Sequence, residues 1–203
     1  MSLAAVESTA VGSSAAGVAA GEEHPLQFAY TFWFMRRTPG ARSMENYEKN
    51  IKRVGTFKSV EEFWTYYNHL IRPNDLPNTS DYHLFKEGIK PVWEDAANRR
   101  GGKWIVRLKK GLASRYWEDL IIGLVGGQYG IEDGICGAVV SLRYQEDIIS
   151  VWNSDAADRD ACMRIRDITR KLLKLPEGTT VEYKRHDDSL RDNSSFRNTQ
   201  EVV

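Results

Sequence analysis

The sequence predicts an α+β domain in which helices pack on one face of an antiparallel β-sheet. Three observations carry this expectation. Several segments alternate apolar and polar side chains at period two, the strand period. Three well-separated segments carry helix-start signals or an apolar stripe at helical spacing. No segment shows the strand–helix–strand rhythm of a parallel sheet. If the helices cover one face, the other must be solvated or bind something.

From the N-terminus, Met1 to about Glu23 is Ala, Gly, Ser and Val in mixed order, too small to offset ordering entropy by burial. This stretch (1–23) is expected to be a disordered leader, 24–186 the folded domain, and 187–203 a polar loop and tail. Phe28 to Arg36 sets Phe28, Tyr30, Phe32 and Phe34 against Ala29, Thr31, Trp33 and Met35, a strand pattern ended by Thr38-Pro39-Gly40. Ser59-Val60-Glu61-Glu62 is a capping box and opens a helix to about Leu70, with Val60, Phe63, Trp64 and Tyr67 on its apolar face. Pro73 and Pro77 mark a loop.

Lys103 to Leu108 is a strand with Trp104, Val106 and Leu108 on one face and Lys103, Ile105 and Arg107 on the other. Two cations on one strand face require water or a ligand there. Ser114 is expected to cap a second helix, to about Val125. Ile135–Tyr144 and Asp147–Trp152 form a hairpin around Gln145-Glu146. Asp155 or Asp158 begins a third helix with a stripe of Ala161, Ile165, Ile168 and Leu172, and Thr179–Lys184 is a last strand.

Composition narrows function. Lys plus Arg and Asp plus Glu are 28 each, for zero net charge, in a chain of 203 residues with 41% hydrophobic content. Such a balance argues against a long, sequence-blind nucleic-acid footprint but leaves room for a local phosphate site. Six Trp offer either core volume or flat faces for stacking on bases. Cys136 and Cys162 lack metal-ligand spacing and read as reduced core residues of a cytosolic or nuclear protein. No membrane span or signal peptide is visible.

The most informative segment is Gly88-Ile89-Lys90-Pro91-Val92-Trp93-Glu94-Asp95. A surface turn with one anchoring Trp is the plain reading. The alternative is chemical. A guanine methylated on its imidazole ring carries a delocalised positive charge, which gains stacking and cation–π energy against an aromatic face. A carboxylate accepts both donors on guanine's Watson–Crick edge, which adenine cannot match. Trp93 would stack, Glu94 would read the edge, and Lys103, Arg107 and Arg143 would meet the phosphates.

Seven stretches carry a resemblance to the cap-binding translation initiation factor 4E family. They are His24–Leu26, Trp33-Phe34, Val60–Trp64, Leu84–Ile89, Pro91–Asp95, Gly101–Trp104 and Cys136–Val140, in family order across nearly all of the folded part. Arg36–Gly40, Gly111–Arg115 and Glu146–Asn153 resemble the 4E-homologous branch, and the tail Ser189–Asn198 resembles its plant members. The resemblance implies a cupped antiparallel sheet with three helices on its convex back and the 7-methylguanosine cap of messenger RNA on the concave side. It implies Tyr47 and Trp93 as the stacking pair, Glu94 as reader, Trp152 at the methyl group, and Lys103 and Arg143 at the phosphates. Where the initiation factor has a third phosphate-binding Lys this chain has Ile148, so weaker affinity is expected, with Arg107 in partial compensation.

The family's dorsal site falls on Pro25, Val60, Trp64, Asp119 and Ile122. There a scaffold or 4E-binding protein docks a Tyr-x-x-x-x-Leu-hydrophobic helix. Periodicity alone places Trp64 in the helix core; the resemblance places it in this groove. His69, His83 and His186 lack catalytic partners, and Gly123–Gly130 lacks the setting of a phosphate loop. The expectation is a monomeric cytoplasmic binding protein, with a nuclear fraction allowed, and with no catalysis, cofactor, metal or membrane contact. It would promote initiation or, as an alternative, repress by occupying the cap. A cap-processing enzyme and a scaffold without cap binding are the competing classes.

Overall fold

The computed structural model describes residues 23–36, 50–131 and 134–201. Eight antiparallel strands form one sheet in the order β2-β1-β3-β5-β6-β4-β7-β8. They are β1 (Pro25–Arg36), β2 (Ile51–Ser59), β3 (Ser80–Lys86), β4 (Gly102–Leu108), β5 (Ile135–Leu142), β6 (Asp147–Asn153), β7 (Val181–Arg185) and β8 (Gln200–Glu201). The α-helices among the described residues are α1 (Val60–Tyr67), α2 (Ala113–Val125), α3 (Arg159–Leu172) and α4 (His186–Asp192). The architecture is the expected one, with one α-helix more than expected among the described residues.

Period two sorts the strands into two faces. Tyr30 and Phe32 of β1, Leu84 of β3, Trp104 and Val106 of β4, and Val181 and Tyr183 of β7 enter the main core. The helices close this core: Phe63 and Tyr67 from α1, Trp117, Leu120 and Ile121 from α2, and Cys162 and Ile165 from α3. Phe63 lies 5.4 Å from Phe57 and 6.2 Å from Phe32, ring centroid to ring centroid. Trp104 donates its indole N–H to the Cys162 carbonyl at 2.8 Å, so even the polar edge of this buried ring is satisfied. Both cysteines are free and buried, and burial pushes the Cys136 thiol up to about 12.

The helix starts show how side chains set the boundaries. Ser59 Oγ accepts from the Glu62 amide at 3.2 Å, and Glu62 reaches back to the Lys58 amide at 2.7 Å, so the capping box forms with its return contact one residue early. Asp158, rather than Asp155, caps α3 by accepting from the Ala161 amide. Ser114 does not cap α2. It lies inside the helix, and its hydroxyl accepts from the Asn74 amide at 2.9 Å. Asn74 Oδ1 in turn accepts from the Ser114 amide at 3.2 Å, so this helix start is satisfied from the neighbouring Pro73–Asp75 turn. The buried stripe of α3 runs through Cys162, Ile165 and Thr169, slightly rotated from the expected one.

The polar stretch expected as loop and tail contains α4 and β8. Lys184 on β7 donates to Asp192 at the end of α4 at 2.6 Å, and β8 pairs with β7. These contacts hold down a segment without an apolar stripe. The expected leader lies outside the described residues, apart from Glu23.

Candidate functional site

The face opposite the helices is assembled by register. On one row Phe85 pairs Gly137, Gly137 pairs Trp152, Trp152 pairs Lys103, and Lys103 pairs Lys184. The next row runs His83, Val139, Ser150, Ile105 and Glu182, and a third Asp81, Ser141, Ile148 and Arg107. Most of these side chains line one concave cavity, together with Ser195 and Phe196 from the C-terminal segment.

Gly137 has a specific task on this face. A Cβ there would stand 2.5 Å from the Phe85 ring and 2.4 Å from the Leu84 carbonyl. Without one, Phe85 lies across the strand and meets Trp152 edge-on at 5.3 Å. The small cluster of Phe85, Cys136, Val139 and Trp152 then receives Ile89, Trp93 and Ala97 from the loop between β3 and β4.

That loop is held by Asn98, which lies just beyond the segment expected to matter, and by Asp95, which closes that segment. Asn98 is buried and donates to the carbonyls of Lys90 and Val92, both at 2.8 Å. Asp95 accepts from the amides of Lys90 and Ala97 at 3.0 and 2.9 Å. Their only sequence signal is the Asx type in a Gly- and Pro-flanked loop. The result fixes Trp93 half-buried against the cluster and leaves Glu94 exposed beside it.

Lys103 ties the loop to the sheet. Its ammonium lies 5.8 Å from the Trp93 ring and 5.3 Å from the Trp152 ring, within cation–π range of about 6 Å of both. Lys103 also donates to Ser195 Oγ at 2.6 Å. Trp93, Trp152 and Lys103 are thus brought together, and Glu94 follows Trp93 on the same loop with its side chain exposed. Tyr47, the expected second stacking residue, lies outside the described residues.

The two arginines are differently engaged. Arg107 sits on the concave face, pairing with Glu146 at 2.6 Å and Glu182 at 3.2 Å and donating to the Phe196 carbonyl at 2.8 Å. Arg143 donates to Asp81 at 2.7 Å and to the Leu142 carbonyl at 2.8 Å. Both belong to this face, and both are paired with carboxylates there. Ile148 is buried on the same face, with Arg107 opposite it across β4 and β6.

His186 was read only as structural or exposed, and it proves to be built into the floor. Its ring lies 4.2 Å from that of Trp152, with no exposed surface and, among the described residues, no hydrogen-bond partner at either ring nitrogen. Burial, and then the charge of Lys103, hold its pKa well below the ordinary 6.5. A group whose folded pKa is depressed stabilises the fold above the unfolded pKa. That stability is lost as pH falls, because the unfolded chain takes up a proton that the folded chain refuses. The unfolding midpoint should therefore drop between about pH 7.5 and 5.5, and His186→Phe should flatten the drop. An unchanged slope in that variant would remove His186 as its source.

On the helix face, Val60 and Trp64 are both 38% exposed, unusual for large apolar side chains on one short helix. The Val60 amide donates to the His24 carbonyl at 2.9 Å, which places Pro25 beside them. Tyr67 and Arg72 both donate to Glu118, bringing the Asp119 and Ile122 helix alongside α1. Asp119 accepts from Arg115, and Ile122 packs partly into the core. All five expected dorsal residues lie on this side of the sheet or at its edge.

Comparison with known proteins agrees with this geometry. The family described as eukaryotic initiation factor 4E matches residues 25–201. The rice protein named eukaryotic translation initiation factor NCBP is 56% identical over 176 residues, covering 87% of this chain and 77% of the relative. The Caenorhabditis elegans initiation factor 4E-4 is 51% identical over 182 residues, covering 90% and 86%. Among solved structures, C. elegans 4E-3 in complex with the 4E-binding protein Mextli and a cap analogue superposes with a TM-score of 0.79 at 38% identity, covering 84% of this chain and 96% of that one. Ascaris suum 4E-3 with an m2,2,7G cap gives 0.79 at 33% identity, covering 90% and 98%.

Proposed function

Because this chain belongs to the eukaryotic initiation factor 4E family, we propose that it binds the 7-methylguanosine cap of messenger RNA and acts in translation initiation or its regulation. The observation that carries the reading is the convergence of Trp93, Trp152 and Lys103 at one end of the concave face, with the Glu94 carboxylate exposed on the same anchored loop. Trp93 stacks on the methylated base with Tyr47 as its partner, Glu94 accepts the two guanine donors, and Trp152 faces the methyl group. Lys103 takes the nearest phosphate, while Arg107 and Arg143 flank the polyphosphate. Of the two solved relatives above, one was solved with a 4E-binding protein and a cap analogue and the other with an m2,2,7G cap, which supports the same two partner classes here.

The activity is binding, with no reaction assigned to the site, and the compartment is that of translation, the cytoplasm. The test is differential elution. The chain should be retained on a 7-methylguanosine triphosphate resin and released by free 7-methyl-GTP, while GTP at the same concentration leaves it bound. The methyl group confers the ring charge that cation–π stacking requires, so the two nucleotides should differ by at least about tenfold. Equal elution by both would sink the stacking assignment.

A further inference from the structure

We propose that Lys184 is a phosphate-binding cation of this site, held in the ligand-free chain by Asp192 and the segment after it, which the ligand's polyphosphate displaces. The proposal rests on the cap reading and adds to it a residue and a competition. Lys184 stands directly opposite Lys103 across β4 and β7. Side chains so paired have Cβ atoms about 5 Å apart, and like charges there repel. The Lys184 side chain is nevertheless fully buried. A buried cation beside another cation persists only with a counter-charge, and Asp192 Oδ2 supplies it at 2.6 Å.

The rest of the segment continues the pattern. Ser195 Oγ accepts from Lys103 at 2.6 Å, the Phe196 carbonyl from Arg107 at 2.8 Å, and the Arg197 carbonyl from Lys184. Between Asp192 and Arg197 the chain thus lays an oxygen on each of the three cations that β4 and β7 present to the concave face. A row of oxygens over a row of cations is what a polyphosphate also provides, with far more negative charge. Only Asp192 in this set is ionised; the others are a hydroxyl and carbonyls. Exchange for a triphosphate therefore replaces weak acceptors with strong ones and substitutes one anion for another at Lys184. Lys103 sits against Trp93 and Trp152, and Lys184 lies one strand farther out on the same row.

The test titrates the full chain by tryptophan fluorescence with 7-methyl-GTP and 7-methyl-GMP, at low and moderate salt. Lys184→Gln should weaken 7-methyl-GTP about tenfold or more while shifting 7-methyl-GMP far less, with a shallower salt dependence. Lys184→Arg should restore most of the loss. Asp192→Asn keeps the lysine and removes its internal competitor, so it should tighten 7-methyl-GTP several-fold. That opposite sign decides the matter even if Lys184→Gln folds poorly. An unchanged ratio of triphosphate to monophosphate affinity in Lys184→Gln, or weaker triphosphate binding in Asp192→Asn, overturns the assignment while the cap reading stands. Failure of the wild-type chain to bind 7-methyl-GTP overturns the cap reading and this proposal together.

Discussion

In a Glu94→Ala variant, affinity for 7-methyl-GTP is expected to fall by about a hundredfold or more, and retention on the cap resin with it. Guanine presents two donors on its Watson–Crick edge, and in a stacked, water-poor slot they have no other acceptor. Each hydrogen bond to a charged partner contributes about 1.5–3 kcal/mol, and the stranded donors add a desolvation cost. Glu94 is exposed, and the loop around it is held by Asn98 and Asp95 rather than by its own carboxylate. The variant should therefore melt at the wild-type temperature, which separates lost recognition from lost structure. Glu94→Gln keeps one carbonyl acceptor and should fall between the two. A folded Glu94→Ala protein that binds 7-methyl-GTP as the wild type does would assign the edge reading to another group.

What the residues alone made legible follows from which side of the sheet each pattern describes. β1 and β4 alternate cleanly because one face is aromatic or aliphatic core and the other is mixed, so both were read with the correct faces. β2 and β3 were not read as strands. β2 is an edge strand whose Lys52, Arg53 and Lys58 face solvent, with Gly55 in its middle. β3 is buried up to Lys86, yet it puts Asp81 and His83 on the concave face, which breaks the hydrophobic alternation. Helix α4 has no apolar stripe at all, and an ion pair from Lys184 to a residue eight positions on is invisible to any periodicity. Trp93 and Glu94 stood out as chemistry, whereas Trp152 entered only through family resemblance, since a Trp ending a β-strand also reads as core. The anchors Asn98 and Asp95 bond within their own irregular loop, which has no period to read, while the floor residue His186 and the buried Lys184 depend on how α4 and β7 fold against the sheet.

The two faces of the sheet should fail independently, and paired truncations reveal it. Trp64→Ala is expected to weaken binding of a peptide helix carrying Tyr-x-x-x-x-Leu-hydrophobic by about 2 kcal/mol or more, roughly thirtyfold, while leaving 7-methyl-GTP affinity nearly unchanged. Trp93→Ala should do the reverse. Trp64 lies on α1, its ring edge-on to Phe63 at 5.0 Å and to Tyr67 at 5.9 Å, and it remains more than a third exposed. A large indole supported from below by two aromatics and open above has the form of an interface hot spot rather than of core. Phe63 in turn packs on Phe32, whose strand neighbour Trp33 points to the opposite face. Trp93 packs on that opposite face with Phe85 and Trp152, so the sheet separates the two indoles. Distant sites without shared partners add within about 0.5 kcal/mol, and the double variant should show the sum of the single losses. Calorimetric titration of both ligands against both purified variants, with circular dichroism to confirm folding, measures each arm. If folded Trp64→Ala lost cap and peptide affinity together, α1 would be coupled to the concave face, and the separation of docking from cap recognition would fail.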